Sequence, residues 1–220
     1  MRYYPVFIDL RTQRCLVIGG GVVAERKVAA LLEAEGQVTV ISPTLTPQLH
    51  AWASEGKIVA HGRSYQAGDL QGFSLVFAAT DDKALHQQIA REAHEAGVLL
   101  NVVDRPALCS FIVPAIVSRG DLTLAISTSG ASPALAKKIR CDLEQQFGPE
   151  YAVALSLLAR VREAVADDTL AAEERQRLFT ALVSSTLLDA IRERRIDRVD
   201  AVLQQVVGPQ CTCAALGVTL

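Results

Sequence analysis

Arg14-Cys15-Leu16-Val17-Ile18-Gly19-Gly20-Gly21-Val22-Val23-Ala24-Glu25-Arg26-Lys27 is the stretch on which the reading of this chain turns. Leu16, Val17 and Ile18 form a short continuous apolar run, the pattern of a strand buried on both faces, and three glycines follow at once. From Val22 the period becomes helical. Val22, Val23, Ala24, Val28, Ala29, Leu31 and Leu32 can cover one side of that helix while Glu25, Arg26, Lys27 and Glu33 point away. Gly19-x-Gly21-x-x-Ala24 between such a strand and helix is the G-x-G-x-x-A form of the dinucleotide fingerprint. In that reading Gly19 allows the tight turn, Gly21 lets the backbone approach a pyrophosphate and Ala24 keeps helix and strand close. The free N–H groups of the helix start, at Val22 and Val23, then face the phosphates. A purely structural turn accounts for glycines too; the strand and helix on either side favour the bound dinucleotide.

Composition sets the outer limits. The chain has 220 residues, half of them apolar, enough for one well-formed core and a smaller appended unit. Its net charge is −2 with the signs interspersed, so there is no general basic field, nucleic acid is not an expected partner, and any anion site is local. No apolar run approaches the ~20 residues that span a bilayer, and the N-terminal stretch lacks a signal-peptide core. The expected location is the cytoplasm. Five scattered cysteines do not make a disulfide framework, and Cys15 reads as a small apolar strand residue. Cys211-Thr212-Cys213 lacks a nearby third and fourth ligand and makes a poor zinc site, so no metal is expected.

Strands and helices alternate after the first helix, as in a Rossmann-like α/β domain with a parallel sheet. Gln37 to Ile41 is a second strand, ending at Ser42-Pro43. Dinucleotide-binding units often carry an acidic residue here for the adenosine ribose; this chain offers Ser42, Pro43 and Thr44. No arginine stands there to receive a 2′-phosphate either, which favours NAD over NADP. A short helix over 45–56 and a strand over 57–60 follow, with His50 and His61 read as solvated or satisfied. Ser74 to Ala79 repeats the buried-strand pattern, and Thr80-Asp81-Asp82 ends it before a helix over 83–96. This triplet has two compatible readings: Thr80 or Asp81 as a helix cap, and the strand end, at Ala79 and Thr80, as the nicotinamide-ribose edge of the site. His86 and His94 are expected on the solvated face of that helix.

Val98 to Val103 is the next strand, with Asn101 requiring partners inside an apolar run and Asp104 at the carboxyl end facing the same crevice as the glycines. A turn residue ahead of Arg105-Pro106 is the plainer reading of Asp104. Phe111 to Val117 and Leu122 to Ser127, joined by four residues, pair as an antiparallel hairpin, with Pro114 at an edge or bulge. Thr128, Ser129 and Gly130 lead to Ser132-Pro133, an N-cap followed by a first-turn proline, and to a helix reaching Phe147. Leu135, Ile139, Leu143 and Phe147 make its apolar stripe, and Lys137, Lys138 and Arg140 its positive charge. Gly148-Pro149 breaks the chain, and amphipathic helices over 151–166, 171–190 and 195–206 follow. The expected division is a dinucleotide-binding domain over 1–113, a dimerisation and substrate segment over 114–148, and a helical domain over 149–220.

Tyr4-Pro5-Val6-Phe7, the glycine stretch, Val23-Ala24-Glu25-Arg26-Lys27, Ala78-Ala79-Thr80-Asp81-Asp82, Asn101-Val102-Val103-Asp104, Ser110 to Ala115 and Ser127 to Ala136 together resemble the precorrin-2 dehydrogenase family, the dehydrogenase domains of siroheme synthases. The resemblance covers residues 1 to 147 in order and is loose beyond Gly148. It implies NAD-dependent oxidation of precorrin-2 to sirohydrochlorin in siroheme biosynthesis, in some members with iron insertion, by a homodimer whose second segment exchanges contacts between subunits. It implies Asp104 as the active-site aspartate, and Ser127 or Thr128 as the hydroxyl beside the tetrapyrrole. That carboxylate-rich substrate calls for a local cationic lining, for which Arg105, Arg119, Lys137, Lys138 and Arg140 are candidates. A second reading, an NAD-binding redox-sensing regulatory module without turnover, explains neither Asn101 to Asp104 nor the Ser/Thr/Gly loop with its basic helix.

Overall fold

The computed structural model describes residues 3–166 and 171–220. Two compact units, Met1–Val113 and Pro114–Leu220, account for the chain. In the first, β1 (Arg14–Ile18), β2 (Gln37–Ile41), β3 (Val59–His61), β4 (Leu75–Ala78) and β5 (Leu99–Val102) form one all-parallel sheet in the order β3-β2-β1-β4-β5. The helices α1 (Val22–Glu33), α2 (Pro47–Ser54) and α3 (Lys83–Ala96) connect the strands. Successive β1 side chains serve opposite faces. Cys15 and Val17 pack with Val38, Val40, Ala24, Val28 and Leu49, whereas Leu16 and Ile18 pack with Val76, Ala78, Ile89 and Leu100. A strand buried on both faces has no solvated side, which is why β1 from Cys15 onward and β4 read as unbroken apolar runs.

The second unit opens with a hairpin of β6 (Ala115–Arg119) and β7 (Leu122–Ile126), followed by α4 (Pro133–Gln146). Arg119 donates from Nε to the Phe147 carbonyl at 2.9 Å and from Nη2 to the Glu144 carbonyl at 3.2 Å, fastening the hairpin to the end of α4. Then come α5 (Glu150–Ala164), α6 (Ala172–Val183), α7 (Leu187–Arg192) and α8 (Ile196–Val206). They enclose Leu157, Val161, Leu182, Ile191, Val199 and Leu203, with Cys211 and Cys213 buried among them as free thiols. Burial and the hydrogen bond with Asp200 push the Cys213 thiol up to about 11, so it is held as an inert, protonated group.

Several expectations are corrected. The segment 171–190 is two helices, because Ser185 Oγ donates to the Leu182 carbonyl at 2.6 Å and accepts the Leu187 N–H at 3.1 Å, ending one helix and starting the next. Phe111 to Val113 lie outside the hairpin; Phe111 instead packs edge-on against Phe77, with ring centroids 5.5 Å apart. Lys27 does not point away from the core: it is half-buried with its ammonium 5.2 Å from the Phe77 ring centroid, and burial lowers its pKa. Val22 is 68 % exposed rather than part of the covered side. Leu135, placed on the apolar stripe of α4, is 49 % exposed. His86, expected on a solvated face, is buried at 4 % exposure. Among the described residues no helix is long and apolar enough to cross a membrane.

Candidate active site at the carboxyl ends of the strands

The strand order reverses direction at β1, whose neighbours are β2 on one side and β4 on the other. In open parallel sheets the crevice at such a switch point, outside the carboxyl ends, is where ligands bind. The glycine turn occupies that place, and each of its three glycines has a different reason. Gly19 has φ +119° and would drive a Cβ to 2.2 Å from the Ala79 carbonyl oxygen. Gly20 would drive one to 1.9 Å from the Thr44 carbonyl oxygen and 2.8 Å from Ser42 Oγ. Gly21 has φ −85°, which any residue adopts, and a Cβ there would meet nothing within 4 Å. The protein itself gives no steric reason for glycine at position 21, and the space in front of it is open.

That open space lies at the start of α1. Gly21 is the N-cap, no side chain caps the helix, and the first backbone bond of the ladder is Glu25 N–H to the Gly21 carbonyl. The N–H groups of Val22, Val23 and Ala24 therefore precede the ladder and point out of the helix end with its positive dipole. A pyrophosphate fits this arrangement: an uncapped helix end, a glycine that keeps the approach clear, and no carboxylate in the first turn before Glu25.

The walls of the crevice come from β2 and β4. After β2, Ser42 is buried, its N–H donates to the His61 carbonyl at 3.1 Å and its hydroxyl donates to the Thr44 carbonyl at 2.7 Å, while Pro43 and Thr44 are exposed. The loop is held against the glycines by the Thr46 N–H, which donates to the Gly20 carbonyl at 3.0 Å. After β4, Ala79 and Thr80 lie over Gly19. The cap of α3 is neither Thr80 nor Asp81: Asp82 accepts from the Ala84 and Leu85 N–H groups at 2.9 and 3.1 Å. Thr80 is instead gripped by His86, whose Nε2 lies 2.9 Å from the Thr80 carbonyl oxygen and 3.2 Å from Thr80 Oγ1.

At the end of β5, Asn101 answers its burial by donating from Nδ2 to the Phe111 carbonyl at 3.1 Å. Ser110 satisfies the outer edge of the same strand, accepting the Leu100 N–H on its hydroxyl at 2.8 Å and donating its own N–H to the Leu100 carbonyl at 2.8 Å. Asp104 follows on an exposed turn with φ +57°. The Arg105 N–H donates to the Val102 carbonyl at 3.2 Å, and the Cys109 thiol lies 3.3 Å from the carbonyls of Val102 and Arg105. Arg105 is exposed beside Asp104. The first unit thus brings Gly19, Gly21, Val22, Val23, Ala24, Ser42, Thr44, Ala79, Thr80, Asn101 and Asp104 to the carboxyl-end side of its sheet.

In the second unit, Ser127 to Gly130 form the loop before α4. Thr128 Oγ1 accepts the Ser132 N–H at 3.2 Å and donates to the Ser132 carbonyl at 3.1 Å, so its hydroxyl is spent locally. Ser127 is exposed and its oxygen accepts the Ser129 N–H at 3.0 Å, leaving its proton to donate. Ser129 and Gly130 have φ of 52° and 86°, and Lys137 is exposed on α4.

Sequence reasoning assigned His86 to a solvated face and gave Ser110 and Gly20 no role of their own. The first had a signal: His86, Ile89 and Ala93 follow the i, i+3, i+7 spacing of a buried stripe, and all three are buried. The other two act through backbone contacts between distant segments, which no local pattern carries.

A family model described as "putative NAD(P)-binding" matches residues 6–115, half of the chain, and a second, described as the central part of sirohaem biosynthesis proteins, matches residues 119–146. The chain belongs to the precorrin-2 dehydrogenase and siroheme synthase N-terminal family. Its similarity to the siroheme synthase of Nitrosococcus oceani is 37 % identity over 204 residues, 93 % of this chain and 44 % of that protein. To the siroheme synthase of Pseudomonas putida it is 45 % over 165 residues, 75 % of this chain and 36 % of the relative. The chain spans less than half the length of these siroheme synthases. Among solved structures it is similar to "SirC, precorrin-2 dehydrogenase", with a TM-score of 0.79 and 27 % identity, over 93 % of this chain and 98 % of that one. The family's NAD(P)-binding segment is the unit that carries the glycine turn.

Proposed function

We propose that this chain is an NAD-dependent dehydrogenase that oxidises precorrin-2 to sirohydrochlorin in siroheme biosynthesis, acting in the cytoplasm. The observation that carries this is the pairing, on one end of one sheet, of an uncapped helix start behind an open Gly21 with a carboxylate at Asp104. Similarity to a solved precorrin-2 dehydrogenase over almost its whole length supports the substrate.

When bound, NAD supplies the hydride acceptor. The chain's own residues do the rest. The Val22, Val23 and Ala24 N–H groups hold the pyrophosphate, Ser42, Pro43 and Thr44 border the adenosine ribose, and Ala79 and Thr80 border the nicotinamide ribose. Dehydrogenation also releases a proton, and Asp104, an exposed carboxylate, accepts it. Asn101 and Arg105 in the first unit and Ser127, Thr128, Ser129, Gly130 and Lys137 in the second are the substrate contacts of this reading. Ser127 is favoured over Thr128 as the hydroxyl donor because its proton is uncommitted.

A homodimer built on residues 114–148 belongs to the same proposal. A two-stranded hairpin is marginal by itself, and here it leaves Ile116 at 47 % and the neighbouring helix leaves Leu135 at 49 % exposure. The remaining residues, 149–220, act as a helical domain. The test is turnover of precorrin-2 followed by NADH absorbance. Asp104→Ala should retain NAD binding and lose NADH formation; normal turnover by that variant refutes the assigned base. Wild-type protein that binds NAD but yields no NADH with precorrin-2 refutes the enzyme and favours the regulatory module.

A further inference from the structure

We propose that His86 is a positioning residue for the dinucleotide: it orients Thr80 so that the threonine hydroxyl proton points to the bound cofactor. This rests on the reading of the glycine turn as a dinucleotide site. A carbonyl oxygen only accepts, so the 2.9 Å contact between His86 Nε2 and the Thr80 carbonyl places the ring proton on Nε2. A protonated Nε2 has no lone pair. At 3.2 Å from the same nitrogen, Thr80 Oγ1 therefore cannot donate to it and keeps its own proton for another acceptor.

Thr80 stands where that proton is useful. Its Cγ2 is 3.5 Å from the position of a Cβ on Gly19, so the residue lies against the first glycine of the turn at the end of β4. The acceptors a dinucleotide offers at such a strand end are ribose hydroxyl and carboxamide oxygens.

The other ring nitrogen shows that packing alone does not account for the imidazole. His86 Nδ1 is buried and has no hydrogen-bond partner, and it is the one such side-chain atom among the described residues. An unmet buried acceptor works against folding, and an apolar side chain in that stripe beside Ile89 and Ala93 would avoid it. The residue is thus badly suited to the core and well suited to Thr80.

Calorimetric titration of NAD into the free protein tests this without turnover. His86→Leu should fold and bind NAD on the order of tenfold more weakly, the scale of a lost hydrogen bond. Thr80→Val should weaken binding by a similar factor, and the double variant should bind no worse than the weaker single one. His86→Asn or His86→Gln, which retain an N–H donor, should recover affinity. Nitrogen NMR of the unliganded protein should find His86 protonated on Nε2. Wild-type affinity in His86→Leu, effects of His86→Leu and Thr80→Val that multiply, or a ring protonated on Nδ1 would each overturn the proposal. Wild-type protein that does not bind NAD refutes the dinucleotide reading itself, and the NMR result still reports on the His86–Thr80 contact.

Discussion

A Cβ on Gly20 would sit 1.9 Å from the carbonyl oxygen of Thr44, so the turn after β1 and the loop after β2 touch backbone to backbone. The contact separates two glycines that look alike in the sequence. Gly20→Ala should destabilise the first unit by about 1–3 kcal/mol, the scale of overpacking a closed contact, because a backbone oxygen must move. Gly21→Ala should leave the melting temperature near wild type and weaken NAD binding, since a Cβ there meets only the open space in front of α1. Thermal melts of both variants with and without NAD check this pair.

Asp104 lies in the left-handed region at φ +57°, where asparagine is tolerated and a residue such as alanine carries a penalty of about 1–2 kcal/mol. Asp104→Asn should therefore melt near wild type, and Asp104→Ala should melt lower. Both should lose NADH formation with precorrin-2 while NAD still binds. Activity in Asp104→Asn would mean that the carboxylate is not the base.

Glu150 and Arg192 tie the start of α5 to the end of α7, with Arg192 Nε 3.1 Å from Glu150 Oε1. Burial pushes the Glu150 carboxyl up, but its own N–H and the Arg192 guanidinium outweigh that and hold it below the ordinary glutamate value of 4.5. A carboxyl lowered by folding contributes stability that is complete above its unfolded value and is lost as pH falls through its folded one. Arg192→Ala should thus be destabilised most at neutral pH, and its deficit against wild type should shrink as pH drops below about 4, the ordinary carboxylate range. Denaturant midpoints measured from pH 7 to pH 3 would show it; a deficit independent of pH would sink the assignment.

Asp82 caps α3 through two hydrogen bonds to the Ala84 and Leu85 N–H groups. Asp82→Ala should cost about 1 kcal/mol in urea denaturation. Asp81→Ala, a neighbour without that role, should cost much less.

How far the sequence carried the reading depended on the range of the interaction. Strands β1 and β4 were legible because burial on both faces leaves an unbroken apolar run, β2 through its β-branched Val38, Thr39, Val40 and Ile41, β5 through Leu99, Leu100 and Val102 around Asn101, and α3 through its alternation of polar and apolar turns. The strand at 57–60 was placed two residues early, since a three-residue edge strand such as Val59–His61 has little pattern to offer. The break at Ser185 was missed because serine hydroxyls ending one helix and starting another leave no gap in amphipathic spacing. Phe111 was read into a strand on apolarity, and its packing on Phe77 took it elsewhere.

By itself the sequence determined that a parallel sheet places Gly19 to Ala24, Ala79-Thr80 and Asp104 at its carboxyl ends, because strand and helix periods and the order of the segments dictate which ends coincide. Only the tertiary structure decided what each of those residues is free to do. Gly20 is consumed by Thr44 and Gly21 is left open; Thr128 is spent on Ser132 and Ser127 is not; His86 leaves the surface to hold Thr80. These outcomes depend on a few short contacts between segments far apart in the chain, and a hydrogen bond is satisfied or left open by the atom that arrives in three dimensions, not by the residue that precedes it.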